Sequence, residues 1–176
     1  MAVYTMPTFT AGQPVLASDL ATLSAALTFI HNPPIAQLRQ DTAQALGTSG
    51  TFFAITFDAE VVDSANGHST STNPSRYVAQ YAGYYEISGG VAFVANATGS
   101  RFVEIAVNGS ALGGGTASAP ASAGIGLWLA ARDTKVFLNA GDYVELWGRQ
   151  DSGGSLNTDT GSGPGKSSMT VEWVSN

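Results

Sequence analysis

Apolar residues alternate with polar ones along most of this chain, and the alternation predicts strands. From Thr134 to Gly148 the period is two: Val136 and Leu138 point one way, Asn139-Ala140-Gly141-Asp142 turns the chain, and Val144 and Leu146 return to the same side. Glycine at 141 permits a positive φ in that turn, and Asp142 can bond nearby backbone. The stretch therefore reads as a hairpin. Its other side carries Phe137, Tyr143 and Trp147 beside Lys135 and Glu145. A strand pair apolar on one face and aromatic on the other has something packed on both. In so small a chain the expected second layer is another copy of itself.

The same period recurs elsewhere. Ile35–Leu46 follows Pro33-Pro34 and is read as a strand despite its Gln and Ala content. In Phe52–Val62, the residues Phe53, Ile55, Phe57, Ala59 and Val61 are expected to share a face. Arg76–Tyr81 is a short strand, and Tyr84–Ala95 a long one with Tyr85, Ile87, Val91 and Phe93 inward. Asn96–Gly99 turns into Arg101–Val107, and Asn108-Gly109 signals a hairpin. Ser110–Ala123 reads as a strand remnant and loop, Ile125–Ala131 as a strand, and Asp151–Gly165 as a flexible polar loop. Lys166–Val174 closes the pattern with Met169, Val171 and Trp173 on one face. Many short strands without an interior helix predict an all-β fold, an antiparallel jelly-roll sandwich.

The first 34 residues break the pattern and are read as a separate unit, with residues 35–176 as the jelly-roll domain. Residues 1–16 are extended and proline-punctuated, yet Tyr4, Phe9, Val15 and Leu16 are apolar, which suits a peptide lying on something rather than a free tail. Ser18-Asp19 are expected to cap a short helix ending near Ile30. Its Leu20, Leu23, Leu27 and Ile30 form one narrow stripe. Such a stripe either docks on its own subunit or meets a partner helix, since the spacing is that of a coiled-coil seam. Asn32-Pro33-Pro34 ends the helix.

Composition narrows the function. The 176 residues include 44% hydrophobic but only 11% charged residues, with 21 glycines, which suits short strands and tight turns. The net charge is −6, and the seven Lys and Arg residues are scattered singly, so there is no basic stripe for nucleic acid. With no cysteine there is neither a disulfide framework nor a thiolate metal site. No signal peptide is visible and no apolar run approaches a membrane span, so the expectation is a protein made in a cytoplasm that needs no membrane.

Three stretches then stand in a recognisable order. Ile-Thr-Phe-Asp (55–58) comes first, followed by Tyr77 with Ala82-Gly83-Tyr84-Tyr85-Glu86-Ile87. Val107-Asn108-Gly109 then leads to Leu138-Asn139-Ala140-Gly141-Asp142-Tyr143-Val144-Glu145-Leu146 and a final Ser-Ser-Met-Thr-Val-Glu-Trp-Val. Over residues 36–175 this resembles the trimeric jelly roll shared by the globular heads of the complement q-subcomponent and the tumour necrosis factor family. The arm, Pro-Thr-Phe-Thr-Ala-Gly-Gln-Pro-Val-Leu-Ala-Ser-Asp-Leu, is similar to the start of fibre-like and minor structural proteins of tailed bacteriophages, especially those infecting actinobacteria. Together the resemblances imply a homotrimeric virion protein made in the host bacterial cytoplasm. It would be a capsid decoration or head fibre attached to the major capsid protein or another virion protein through Tyr4, Phe9, Val15, Leu16, Leu20, Leu23, Leu27 and Ile30. Phe137, Tyr143 and Trp147 would line the trimer interface. The alternative is a tail-associated module that recognises host-surface glycan through exposed aromatics among Tyr84, Trp128, Tyr143, Trp147 and Trp173.

Enzymatic chemistry is not expected. His31 suits the free carbonyls of a helix end. His68, Ser69 and Asp63 could be drawn as a triad, but no nucleophile-elbow motif accompanies them. Asp58, Glu60 and Asp63 could offer oxygen to calcium, yet they lack the spacing of a calcium-binding loop and fit a solvated strand face. The glycine runs at 113–115 and 161–165 lack the Lys-Ser/Thr of a phosphate cradle. The sequons at Asn96 and Asn108 are read as coincidental. No cofactor and no metal are expected.

Overall fold

The computed structural model describes residues 6–47, 50–161 and 165–176. Tyr4, assigned above to attachment, lies outside them. One helix, α1 (Ala17–His31), precedes the strands. They follow as β1 (Ile35–Arg39), β2 (Ala45–Leu46), β3 (Phe53–Ala54), β4 (Ala59–Asp63), β5 (Arg76–Val78), β6 (Gly83–Phe93) and β7 (Asn96–Val107). The remainder are β8 (Ser110–Ala111), β9 (Ala117–Ser122), β10 (Leu127–Ala130), β11 (Thr134–Leu138), β12 (Tyr143–Gln150), β13 (Leu156–Asn157) and β14 (Ser168–Ser175).

Among the described residues every strand pair is antiparallel, and two sheets face each other as a jelly-roll sandwich. The first runs β10-β6-β14-β1-β4, with β11 also pairing β6; the second runs β3-β12-β7-β8, with β5 beside β12 and β9 beside β7. The pleat sends alternate side chains inward. Tyr85, Ile87, Val91 and Phe93 of β6 and Met169 and Val171 of β14 are fully buried, as are Val103, Val144 and Leu146 from the facing sheet. These are the inward positions that the alternation predicts.

Several boundaries differ from the sequence reading. The stretch 134–148 is not a hairpin of paired strands: β11 joins β6 in the first sheet, while β12 joins β7, β5 and β3 in the second. The turn itself is as expected, with Asp142 N–H donating to Asn139 O at 3.0 Å and Gly141 at φ +97°. It carries the chain from one layer to the other. A period of two reports which side faces the core; it does not report which strand lies alongside.

Phe52–Val62 is likewise not one strand. β3 lies in the second sheet and β4 in the first, and residues 55–58 cross between them with Ile55 and Phe57 fully buried. A register shift between Gln37 and Leu38 in the β1–β4 pairing follows, and Val61 ends up exposed. The Ala-Ser-rich segment 117–122 is a full strand on β7, and the polar stretch 151–165 contains β13, anchored by buried Leu156.

The helix starts one residue earlier than Ser18, and Ser18 does not cap it. Instead the Asp19 carboxylate accepts from Leu16 N–H at 3.0 Å. Asn32 N–H closes the other end on Thr28 O at 2.9 Å. Phe29 seats the helix on the sandwich, edge-on to Tyr81 and Trp173 at 4.9 and 4.8 Å between ring centroids.

Candidate functional site: outer faces and an uncovered helix

The three residues assigned to one interface are divided by the layer change at Asn139–Asp142. Phe137 lies on the outer face of the first sheet, directly across from Tyr84 on β6, with ring centroids 5.3 Å apart and planes 78° to each other. Lys135 reaches Glu86 at 3.2 Å in the next outward row. Tyr84 and Phe137 remain 47% and 46% exposed, and Val174 beside them is exposed too. Tyr84 was named from the sequence only among aromatics of mixed burial. Its pairing with Phe137 is a product of register, which no single strand reveals.

Tyr143 and Trp147 lie on the outer face of the second sheet, where the subunit covers them itself. The Arg76 guanidinium sits 4.0 Å over the Tyr143 ring and donates to Glu145 at 3.2 Å. Ser75 Oγ and Trp147 Nε1 also donate to that carboxylate, at 2.8 and 3.1 Å. Phe52 tilts over Trp147, and Arg149 stacks between Phe52 and Phe102, 5.8 and 4.3 Å from their centroids. Glu145 is thereby buried. This face is a ladder of rings and cations completed within one chain, in contrast to the bare pair on the other sheet.

A third exposed aromatic, Trp128, lies over Gly90 at the edge of the first sheet and donates from Nε1 to Lys166 O at 3.3 Å. Only glycine fits beneath it, since a Cβ at 90 would collide with the indole.

The loop 63–75, with β4 and Asp58 just before it, holds the residues weighed for catalysis and calcium. The Asp63 carboxylate accepts from the backbone N–H groups of Gly67 and His68 at 3.1 and 2.8 Å. The His68 ring is buried, with Nδ1 2.8 Å from Glu60 Oε1 and Nε2 3.1 Å from Pro74 O. Ser69 Oγ turns to Ser71 and Thr72. His68 therefore has both nitrogens engaged and makes no contact with Ser69, so the triad does not form; His68 is a latch for its loop. Asp58 accepts from Asp41 N–H, and Asp41 is gripped by Arg39 and Lys166, each at 2.7 Å. Those two cations hold the Asp41 carboxyl well below the usual carboxylate range. Among the described residues no group of three or more His, Asp or Glu side chains gathers as a metal site. A polar groove of about 430 Å³ lies between this loop and Tyr143, lined by Asn66, Asn73, Arg76 and Gln80.

On α1, Ala26 is buried and Asp19, Leu23, Ala25 and Phe29 are half-buried. Leu16, Leu20, Leu27 and Ile30 face away from the sandwich and are 56%, 56%, 53% and 61% exposed, and Phe9 and Val15 of the arm are exposed as well. Of the stripe read from the sequence, Leu23 alone is partly covered by its own subunit, while Leu20, Leu27 and Ile30 are not. His31 closes the helix as its last residue, exposed beside the free carbonyls.

No family model matches the chain, and no curated protein sequence does. Solved structures do. Murine APRIL at pH 8.5 aligns over 80% of this chain and 98% of its own, with a TM-score of 0.56 and 10% identity. Eiger TNF from S. frugiperda aligns over 81% of this chain and 94% of its own, with a TM-score of 0.55 and 14% identity. At such identities the likeness is one of fold: the chain has a jelly roll of the tumour necrosis factor type.

Proposed function

We propose that the protein is a non-enzymatic, homotrimeric structural component of a tailed-bacteriophage virion, a capsid decoration or head-fibre protein. In this reading the jelly roll is displayed outward and residues 1–34 bind the particle. The observation that carries it is the distribution of uncovered apolar surface. The sandwich closes its own core, yet Phe9, Val15, Leu16, Leu20, Leu27 and Ile30 ahead of it stay bare. Apolar residues gathered on an appended segment, with few charges among them, are suited to being covered by other protein. The resemblance of this arm to the start of phage structural proteins supplies the particle. The Tyr84–Phe137 pair supplies a self-association surface, because rings left half exposed on a sheet face gain from burial around a cyclic axis.

The test is deletion of residues 1–34. The expected product is a folded trimer, by light scattering, that no longer co-sediments with particles lacking the protein, whereas the full chain does. Binding that survives the deletion would count against the arm as the anchor.

A second reading is supported by the polar groove of about 430 Å³ beside Tyr143. Amide, guanidinium and aromatic groups around one concavity suit hydroxyl-rich ligands. There the jelly roll would recognise host-surface glycan from the tail. Binding of the truncated protein to cell-wall polysaccharide, abolished by Asn73→Ala with Gln80→Ala, would favour it over a purely structural role.

A further inference from the structure

The leucine stripe of α1 needs an occupant, and its spacing indicates which. From Leu16, the residue capping α1, through Leu20, Leu23, Leu27 and Ile30, the steps are four, three, four and three, an average of 3.5 residues. A helix lying on a broad protein surface presents a wider apolar face at a period of 3.6, whereas a strict 3.5 repeat makes a narrow seam that fits another helix carrying the same repeat. With Leu20 and Leu27 at the a positions, Leu16, Leu23 and Ile30 take the d positions. Isoleucine stands at one of these d positions, Ile30, and the β-branched a residues that favour a pair are missing, so the seam lacks the pair-forming pattern.

The flanks agree. Asp19 is the only acidic residue on the helix and lies in its first turn; Lys and Arg do not occur on it. Ala17, Ser24 and Ala26 take three of the five positions beside the seam; Asp19 and His31 take the others at opposite ends of the helix, so identical helices can run parallel without a row of opposing like charges. Four members of the seam, Leu16, Leu20, Leu27 and Ile30, are exposed, while Leu23 and the flanking Ala26 turn toward the subunit. Phe29 ties the helix to the sandwich and meets Trp173 edge-on, and that indole donates to Ala82 O. Two residues beyond Ala82 is Tyr84, where the exposed pair with Phe137 begins. The helix root and the bare patch of the first sheet therefore share one end of the sandwich.

We propose that the α1 seam is occupied by the α1 helices of sister subunits, which form a short parallel three-helix coiled coil continuous with the jelly-roll trimer. This rests on the trimeric reading above, because fifteen residues of helix are too few to associate alone and need the sandwiches to hold them together. It also refines that reading. With the seam filled by sisters, contact with the particle falls to the arm ahead of it, at Phe9 and Val15.

The chain has no cysteine, so single cysteines report proximity directly. The full-length variants Leu20→Cys and Leu27→Cys place thiols at the seam; Ala21→Cys and Thr28→Cys place them one residue away, on an exposed side. All four are oxidised at low concentration and run on non-reducing gels, with the reduced mass measured by light scattering. Seam variants are expected to give a covalent dimer holding up to about two thirds of the chains, since three thiols around one axis close a single disulfide, while the offset variants stay monomeric on the gel. A trimeric mass with no more cross-linking at 20 and 27 than at 21 and 28 overturns the coiled coil and leaves the trimer standing. A monomeric mass overturns both.

Discussion

Replacing Phe137 by glutamate measures how much the bare patch of the first sheet contributes to assembly. An aromatic residue presents about 200 Å² of surface. With Phe137 46% exposed in the lone subunit, roughly 90 Å² is left to bury. At about 25 cal/mol per Å² that is about 2 kcal/mol for each ring and about 6 kcal/mol over three subunits. The substitution forfeits this and adds a carboxylate close to Glu86, which already needs Lys135 beside it. The concentration at which a trimer half dissociates scales with half its total association energy, so a loss of about 6 kcal/mol raises that midpoint on the order of a hundredfold. Sedimentation velocity over a dilution series reads it, with thermal melting of the dissociated variant as a check that the subunit is intact. A midpoint unmoved by Phe137→Glu, with the mass still trimeric, refutes the placement of the interface on Tyr84 and Phe137. Trp147→Glu makes the contrast. Because Trp147 is covered by Phe52 and bonded to Glu145, that change is expected to lower the melting temperature of the subunit itself.

Two further expectations concern the subunit. Asn108 and Asn139 donate to the Asp142 carboxylate and hold its pKa below the ordinary value, so its stabilisation is present above the unfolded value near pH 4 and is lost as the pH falls below it. Asp142→Asn should cost about 1 kcal/mol in urea unfolding at pH 7 and progressively less below pH 4, whereas a penalty independent of pH would assign the effect to turn geometry alone. The buried Arg101 guanidinium donates to the carbonyls of Asn96, Thr98 and Ser100, and desolvation lowers its pKa. Arg101→Met strands those carbonyls and is expected to cost about 2–3 kcal/mol; a change below the error of the melts would show that water takes over the role.

How much could be read in advance differs between strand identity and strand placement. The inward residues of β6 and β14 and the Asn-Gly and Asn-Ala-Gly-Asp turns were legible, because a strand's period and a turn's backbone demands are local properties. The separation of β11 from β12 was not, since both the hairpin and the layer change place Leu138 and Val144 inward. The same ambiguity hid the crossing at Ile55–Phe57. In the candidate site, the stripe on α1 was visible as a pattern, but only the seating of Phe29 between Tyr81 and Trp173 shows that Leu20 and Leu27 face outward. Trp147 shows a related gap: alternation marks it as outward-facing, and its cover comes from Phe52, almost a hundred positions earlier in the chain.

The strand at the centre of the first sheet, β14, is encoded by residues 168–175, and it alone joins β1 to β6. Until those residues have left the ribosome, β1 has no neighbour on that side and the sheet is two disconnected halves. This sheet must therefore wait for residues 168–175, with pairings such as Ile35 to Glu172 demanding closure of very long loops. A nascent chain stalled before residue 168 would expose two raw edges to its neighbours on the same message, so abundant synthesis of this protein places a premium on uninterrupted translation.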